Sequence, residues 1–342
     1  MNNIENIINN VSDCDNAASD VTLERNVETF IGCDSDYEAA KIVLFGAPFD
    51  STTSFRPGAR FGSAAIRHES FGIETYSPYQ DKDLEDCQVF DSGDIELCFG
   101  DAGKALSDIQ NRAGIILDGG RLPVMLGGEH LVTLGAFRAA FKKYPDLHII
   151  HFDAHADLRD DYLGARLSHA CVIRRCYELI AGESGGVSIE NNTEGRDLSI
   201  ENSAEGGESH NENKNALDRR IHQFCIRSGE RAEFEFAKKH TDMHRFNFDG
   251  LDELVDELVK SNTPVYFTID LDCMDPSIFP GTGTPEAGGV SFSELLQAVL
   301  KVCRTNVVAA DINELAPMLD ASGTSTAAAC KLLRELILAL YK

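Results

Sequence analysis

The fold class this sequence predicts is α/β, a mostly parallel sheet with helices on both faces. Short apolar runs rich in β-branched residues alternate along the chain with longer amphipathic segments. The runs are apolar nearly throughout rather than at every second position, as strands buried on both faces must be. With 342 residues, 43% of them hydrophobic, the chain can bury the core of one large domain.

The pattern begins at Lys41-Ile42-Val43-Leu44-Phe45-Gly46, an apolar run closed by glycine and Pro48, which predicts the first strand. Further strands are expected over 88–91, 123–126, 147–152, 222–226, 264–270 and 306–311. Helices are expected over 101–118, 131–143, 230–239, 250–260, 292–303 and 324–340. Residues 1–36 are rich in Asn, Asp, Ser and Glu and predict an N-terminal extension, partly disordered, with room for a short helix. Residues 182–218 are Gly, Ser, Asn and Glu almost throughout, and Ser188-Ile189-Glu190-Asn191 recurs there as Ser199-Ile200-Glu201-Asn202. So long a polar stretch inside a compact domain predicts a surface loop insertion. The expected organisation is therefore an extension over 1–36 and one domain over 37–342, carrying a low-complexity insertion at about 182–218.

The net charge of −25 argues against nucleic acid and anionic membranes as partners, because both need basic patches. It mildly favours small cations. No run of about 18 apolar residues appears, and the first residues lack the basic start and apolar centre of a secretory signal. The ten cysteines are scattered, without a Cys-x-x-Cys pair, and read as reduced thiols. A cytoplasmic protein is expected.

Three segments carry chemistry, and each lies where a strand should end: Gly127-Gly128-Glu129-His130, His151-Phe152-Asp153-Ala154-His155-Ala156-Asp157 and Asp270-Leu271-Asp272. In an open parallel sheet the carboxyl ends of neighbouring strands border one crevice. In extended chain, residues two apart share a side, so Asp153, His155 and Asp157 can face one point, as can Asp270 and Asp272. Each segment alone is most simply a solvated loop, a helix cap or a packed histidine. The three together point to a metal centre. Four carboxylates crowded with two imidazoles repel one another until divalent cations relieve them, and an oxygen-rich set without thiolate suits Mn²⁺ better than zinc. Cys273 should point away from Asp272. His151 is expected to pack, His240 and His244 to be solvated, and Gly281-Thr282-Gly283 to form a turn beside the site.

These segments resemble those of the ureohydrolases, the family of arginases and agmatinases, and bacterial agmatinases in particular. The resemblance runs from about Lys41 to the C-terminus. It includes Ser54-Phe55-Arg56-Pro57-Gly58-Ala59-Arg60-Phe61-Gly62, Ser168-His169, the run from Asp270 to Gly289, and Asp311-Ile312-Asn313-Glu314-Leu315-Ala316-Pro317. It implies a three-layer α/β/α sandwich, a trimer or hexamer, and two Mn²⁺ per subunit. One ion would take His130, Asp153, Asp157 and Asp270, the other His155, Asp153, Asp270 and Asp272. A hydroxide between the ions would attack the guanidinium carbon, with Asp157 aiming it, His169 passing a proton to the leaving amine and Glu314 accepting the guanidinium N–H groups.

The implied substrate is a small cationic guanidino compound, agmatine first, cleaved to putrescine and urea in polyamine biosynthesis. Arg159 favours agmatine by resemblance, but beside a cationic tail it must turn outward or pair with Asp160 or Asp161. Ala170-Cys171 and Asp320-Ala321 depart from the family pattern on loops expected to border the substrate. Arginine and 4-guanidinobutyrate stay open as substrates. A deacetylase-type amidohydrolase and a non-catalytic regulatory or scaffold relative stay open as classes.

Overall fold

The computed structural model describes residues 28–184 and 219–342. Among the described residues the chain builds an eight-stranded sheet whose strands are β1 (Ile42–Gly46), β4 (Val89–Asp94), β5 (Leu122–Leu126), β6 (His148–Phe152), β7 (Ile221–Ile226), β8 (Asp242–Arg245), β9 (Pro264–Asp270) and β10 (Asn306–Asn313). Their spatial order is β4-β1-β5-β10-β9-β6-β7-β8, and every pairing is parallel. Two short strands, β2 (Tyr76–Ser77) and β3 (Lys82–Asp83), pair separately as an antiparallel ribbon.

Helices lie on both faces. Alternate residues of one strand separate into two cores: Ile42 and Leu44 belong to one, Val43 and Phe45 to the other. The first core takes apolar faces from α1 (Gly62–Glu69), α6 (Leu251–Ser261), α7 (Phe292–Val302) and α8 (Thr324–Leu340). The second takes them from α2 (Ala102–Asp118), α3 (Thr133–Lys143), α4 (Val172–Ser184) and α5 (Arg231–His240). This is the expected three-layer α/β/α sandwich.

Every expected strand and helix forms, most with ends shifted by a residue or two. The expected helix over 131–143 opens with a 3-10 turn at His130–Val132 before α3 begins. Three main elements were not expected. The helix α1 opens on Gly-Ser with little apolar periodicity, and the buried Arg67 secures it through ion pairs with the buried Asp91 and the more exposed Asp94. The helix α4 carries its apolar stripe on Val172, Ile173, Cys176 and Ile180. It runs to Ser184, into the residues expected to open the insertion; the remainder of that stretch, 185–218, lies outside the described residues. The edge strand β8 is polar because only one neighbour pairs with it.

Of the expected N-terminal extension, 1–27 lies outside the described residues. The rest packs: Phe30 and Cys33 are fully buried, and the Phe30 N–H donates to the Asp91 carboxylate.

Candidate metal and catalytic site

The carboxyl ends of β5, β10, β9 and β6 lie side by side, and the three sequence segments meet there with Glu314, which follows β10. Behind β5 the chain turns tightly. A Cβ on Gly128 would stand 1.9 Å from the Phe49 carbonyl oxygen, and one on Gly127 would stand 1.7 Å from Oδ1 of Asn313. Only glycine lets this loop pass so close to its neighbours and deliver His130.

The His130 ring is buried, with Nδ1 at 3.0 Å from Asp153 Oδ2, 3.1 Å from Asp157 Oδ2 and 3.4 Å from Asp270 Oδ2. Its Nε2 lies 2.9 Å from Thr268 Oγ1, whose hydroxyl donates to Asp311. That contact turns Nδ1 towards the carboxylates. A second cluster joins Asp153, His155 and Asp272, with His155 Nδ1 3.0 Å from Asp272 Oδ2 and 3.5 Å from Asp153 Oδ1. Asp153 is common to both clusters. Asp270 ends β9 and accepts the backbone N–H of Asp272 on Oδ1.

All six expected donors therefore converge, though not by simple alternation along a strand. The strand β6 stops at Phe152, His155 bridges to Ser228, and Asp157 turns inward from a left-handed backbone at φ 53°. Cys273 is buried within the first core, placed there by a 3-10 turn over Leu271–Cys273 rather than by strand alternation.

The set fits divalent ions on three counts. Asp272 Oδ2 is buried without a hydrogen-bond partner, although an imidazole nitrogen stands 3.0 Å away. Burial raises the Asp157 carboxyl to about 7, with the Asp153 charge adding to it, and raises Asp270 well above its ordinary value, helped by Asp272 and Asp153. Carboxylates in such straits call for cations. The donors are carboxylate oxygens and imidazole nitrogens, suited to first-row divalent metals.

Above the donors lies a cleft of about 460 Å³. Glu314 lines its base at φ 67°, with Oε1 accepting the backbone N–H of His130. Burial and the Glu129 and Asp272 charges raise its carboxyl well above its usual value, so a cation is welcome there too. His169 lines one wall, with Nε2 3.2 Å from Ser54 Oγ and Nδ1 3.3 Å from Ser168 Oγ. Burial lowers its pKa to about 4, with the His155 and His130 charges acting in the same direction. The backbone N–H of His169 donates to Thr52 Oγ1, and Thr52 is fastened through its own N–H and hydroxyl to the buried Glu129 carboxylate.

Several expectations change. Arg159 does not pair with Asp160 or Asp161. Its guanidinium meets Glu230, lies 3.7 Å from Glu233 and stacks over Tyr162, while Asp160 is taken by Arg166 and Arg175. His240 and His244 are not simply solvated: His240 hydrogen-bonds the Tyr177 hydroxyl, and His244 pairs with Asp242 and stacks on Phe224. Asp320 does not border the cleft but caps the turn into α8 by accepting from Ser322 and Ser325. Ala170 does line the cleft. Arg56 donates to the carbonyls of Thr282 and Gly283, and Arg60 pairs with Asp50, so both arginines hold loops of this chain.

Reasoning from sequence gave no role to Ser54, Tyr162, Glu230 or Glu286, all of which line the cleft. Ser54 and Glu286 stand inside the motifs named above, and Glu230 caps α5; Tyr162 sits on a loop where neither period nor spacing marks it.

Comparison with known proteins adds an independent line. The model of the arginase family matches residues 40–339. An agmatinase from Bacillus anthracis is 42% identical over 318 residues, covering 92% of this chain and 97% of that one. The N(1)-aminopropylagmatine ureohydrolase of Thermococcus kodakarensis is 34% identical over 286 residues, covering 82% and 84%. The crystal structure of the agmatine ureohydrolase of Thermoplasma volcanium superposes with a TM-score of 0.75 at 29% identity, covering 92% of this chain and 95% of that one.

Proposed function

Because this chain belongs to the arginase family, we propose that it hydrolyses agmatine to putrescine and urea at the cleft above His130, Asp153, His155, Asp157, Asp270 and Asp272. The observation that carries the reading is the convergence of those six donors with Glu314 and His169 at the ends of four neighbouring strands. The amidine C–N bond is broken, and water is the co-substrate.

The six donors would hold two ions, Mn²⁺ by the oxygen-rich donor chemistry, with Asp153 reaching both. When bound, the ions supply Lewis-acid polarisation and lower the pKa of water near neutrality. The chain's own residues do the rest. Glu314 accepts guanidinium N–H groups through a charge-assisted pair. Asp157, at the base of the cleft, accepts a hydrogen bond from the attacking water and aims it at the guanidinium carbon. His169 is neutral at physiological pH and flanked at both nitrogens by hydroxyls, so it can take a proton at one nitrogen and give one from the other. The leaving amine requires that proton.

The mouth of the cleft supports a cationic tail. Arg159 would repel one, but it is answered by Glu230 and Glu233, and Glu286 faces the same cleft. Three carboxylates against one guanidinium leave the wall anionic. That favours an amine terminus and disfavours the carboxylates of arginine and 4-guanidinobutyrate. The free thiols among the described residues accord with a reducing cytoplasm, and the reading includes a homo-oligomer, as the sequence resemblance implies.

The test is urea release by Mn²⁺-loaded protein with agmatine, arginine and 4-guanidinobutyrate compared at equal concentrations. Agmatine should lead. A lead for another guanidino compound would leave the chemistry standing and overturn the substrate. No urea from any of them, with two ions bound, would overturn the hydrolase.

A further inference from the structure

Asp153 is anchored at both carboxylate oxygens. Its Oδ1 accepts the backbone N–H of His155, and its Oδ2 lies 2.8 Å from Nε2 of His151. Oδ2 faces the cluster of His130 and Asp157, while Oδ1 faces that of His155 and Asp272. If each oxygen commits one lone pair to a protein N–H, it keeps another for one side of the site. This arrangement requires His151 to be a donor.

The surroundings of His151 fix where its hydrogen sits. The Thr241 hydroxyl lies 3.0 Å from Gln223 Oε1, and Gln223 Nε2 lies 2.8 Å from the Ala156 carbonyl oxygen. A carbonyl can only accept, so the amide nitrogen must face Ala156. Its second hydrogen then faces His151 Nδ1 at 3.1 Å. Nδ1 accepts, and the neutral ring carries its hydrogen on Nε2, aimed at Asp153. Every group in this row is buried.

We infer that His151 is a positioning residue for the metal centre: an N–H donor, locked by Gln223 and Thr241, that holds Asp153 so that one carboxylate serves two ions. It is not itself a ligand, although its ring lies within the cluster of His130, Asp153 and Asp157. A packing histidine would need no such alignment. The inference rests on the two-ion reading of the site.

The test uses the full chain, stripped of metal and titrated with Mn²⁺, with stoichiometry from equilibrium dialysis and spin coupling of the ion pair from electron paramagnetic resonance. His151→Leu removes the donor, whereas His151→Gln keeps an N–H near the same place. The expectation for His151→Leu is a fold unchanged by circular dichroism, two ions still bound at saturation, affinity down about 10- to 100-fold, and altered coupling. His151→Gln should recover most of that affinity.

Wild-type affinity and coupling in His151→Leu would reduce His151 to packing and overturn the inference. A stoichiometry of one in both variants would make it a ligand and overturn the inference too. If His151→Leu does not fold, Gln223→Met tests the same lock, and unchanged affinity and coupling there would overturn it. Fewer than two ions on the wild-type protein would instead remove the two-ion reading and this inference with it.

Discussion

The imidazole of His169 stands between two serine hydroxyls, and the His169 backbone N–H is held by Thr52, which hangs on the buried carboxylate of Glu129. A relay needs this placement, because a shuttle that rotates loses its proton to solvent. His169→Ala should therefore lower kcat about 10²- to 10⁴-fold while leaving metal content at the wild-type level, read by steady-state kinetics and elemental analysis. A loss of metal in parallel would move His169 from proton transfer to scaffolding. Glu230, which also lines the cleft, pairs with Arg159. Glu230→Gln should raise the KM for agmatine about two- to fivefold with kcat held, and lower it for 4-guanidinobutyrate, in line with the modest worth of a partly exposed charge. Unchanged KM values for both compounds would show that the tail does not sense this wall. The six donors were legible in the sequence because the three segments that carry them each follow an apolar run, and five of the six stand two residues apart within their segment. His151, Gln223 and Thr241 were not, since nothing in a linear pattern says that a histidine in β6, a glutamine in β7 and a threonine after α5 will form one hydrogen-bonded row.

At the level of the element, the turn from β5 to His130 is the tightest constraint on the site. Gly127 donates to the Ile312 carbonyl and Glu129 to that of Phe49, so the loop is stitched to β10 on one side and to the loop after β1 on the other. Gly128→Ala would drive a methyl group into the Phe49 backbone. The expected cost is about 1–3 kcal/mol of stability, measured by denaturant unfolding of the metal-free protein, with weakened ion binding as the loop carries His130 outward. Unchanged unfolding and ion binding would mean that the loop has slack. The elements themselves were readable wherever burial imposes a period. The central strands β1, β5, β9 and β10 are apolar runs because helices cover both faces. The strand β8 escaped because an edge tolerates Asp242, His244 and Arg245. The helix α1 escaped because what fixes it, Arg67 against Asp91 and Asp94, is a contact between distant segments rather than a stripe along one.

Across the whole molecule, the site stores electrostatic tension that ions release. The Asp157 carboxyl sits at about 7, raised by burial and then by Asp153. A group whose folded pKa exceeds its unfolded value stabilises the fold fully below the unfolded pKa of about 4 and loses that contribution as pH climbs through 7. An arriving ion must displace the same proton, so its binding tightens over the same window. The gain in melting temperature on adding Mn²⁺ should thus be larger at about pH 8 than at about pH 6. Equal gains would mean that Asp157 is already ionised across that range. The order of the sheet has its own consequence during synthesis. The strands β9 and β10 follow the other described strands of the sheet in sequence, yet they lie between β5 and β6. A nascent chain that has emerged only as far as Ser261 already carries His130, Asp153, His155 and Asp157, but β5 and β6 belong roughly 14 Å apart, three strand spacings, with nothing yet between them. Until β9 and β10 slide into that gap, the donor set is incomplete. Ion capture therefore waits for β9 and β10, and a chain cut before β9 lacks Asp270 and Asp272.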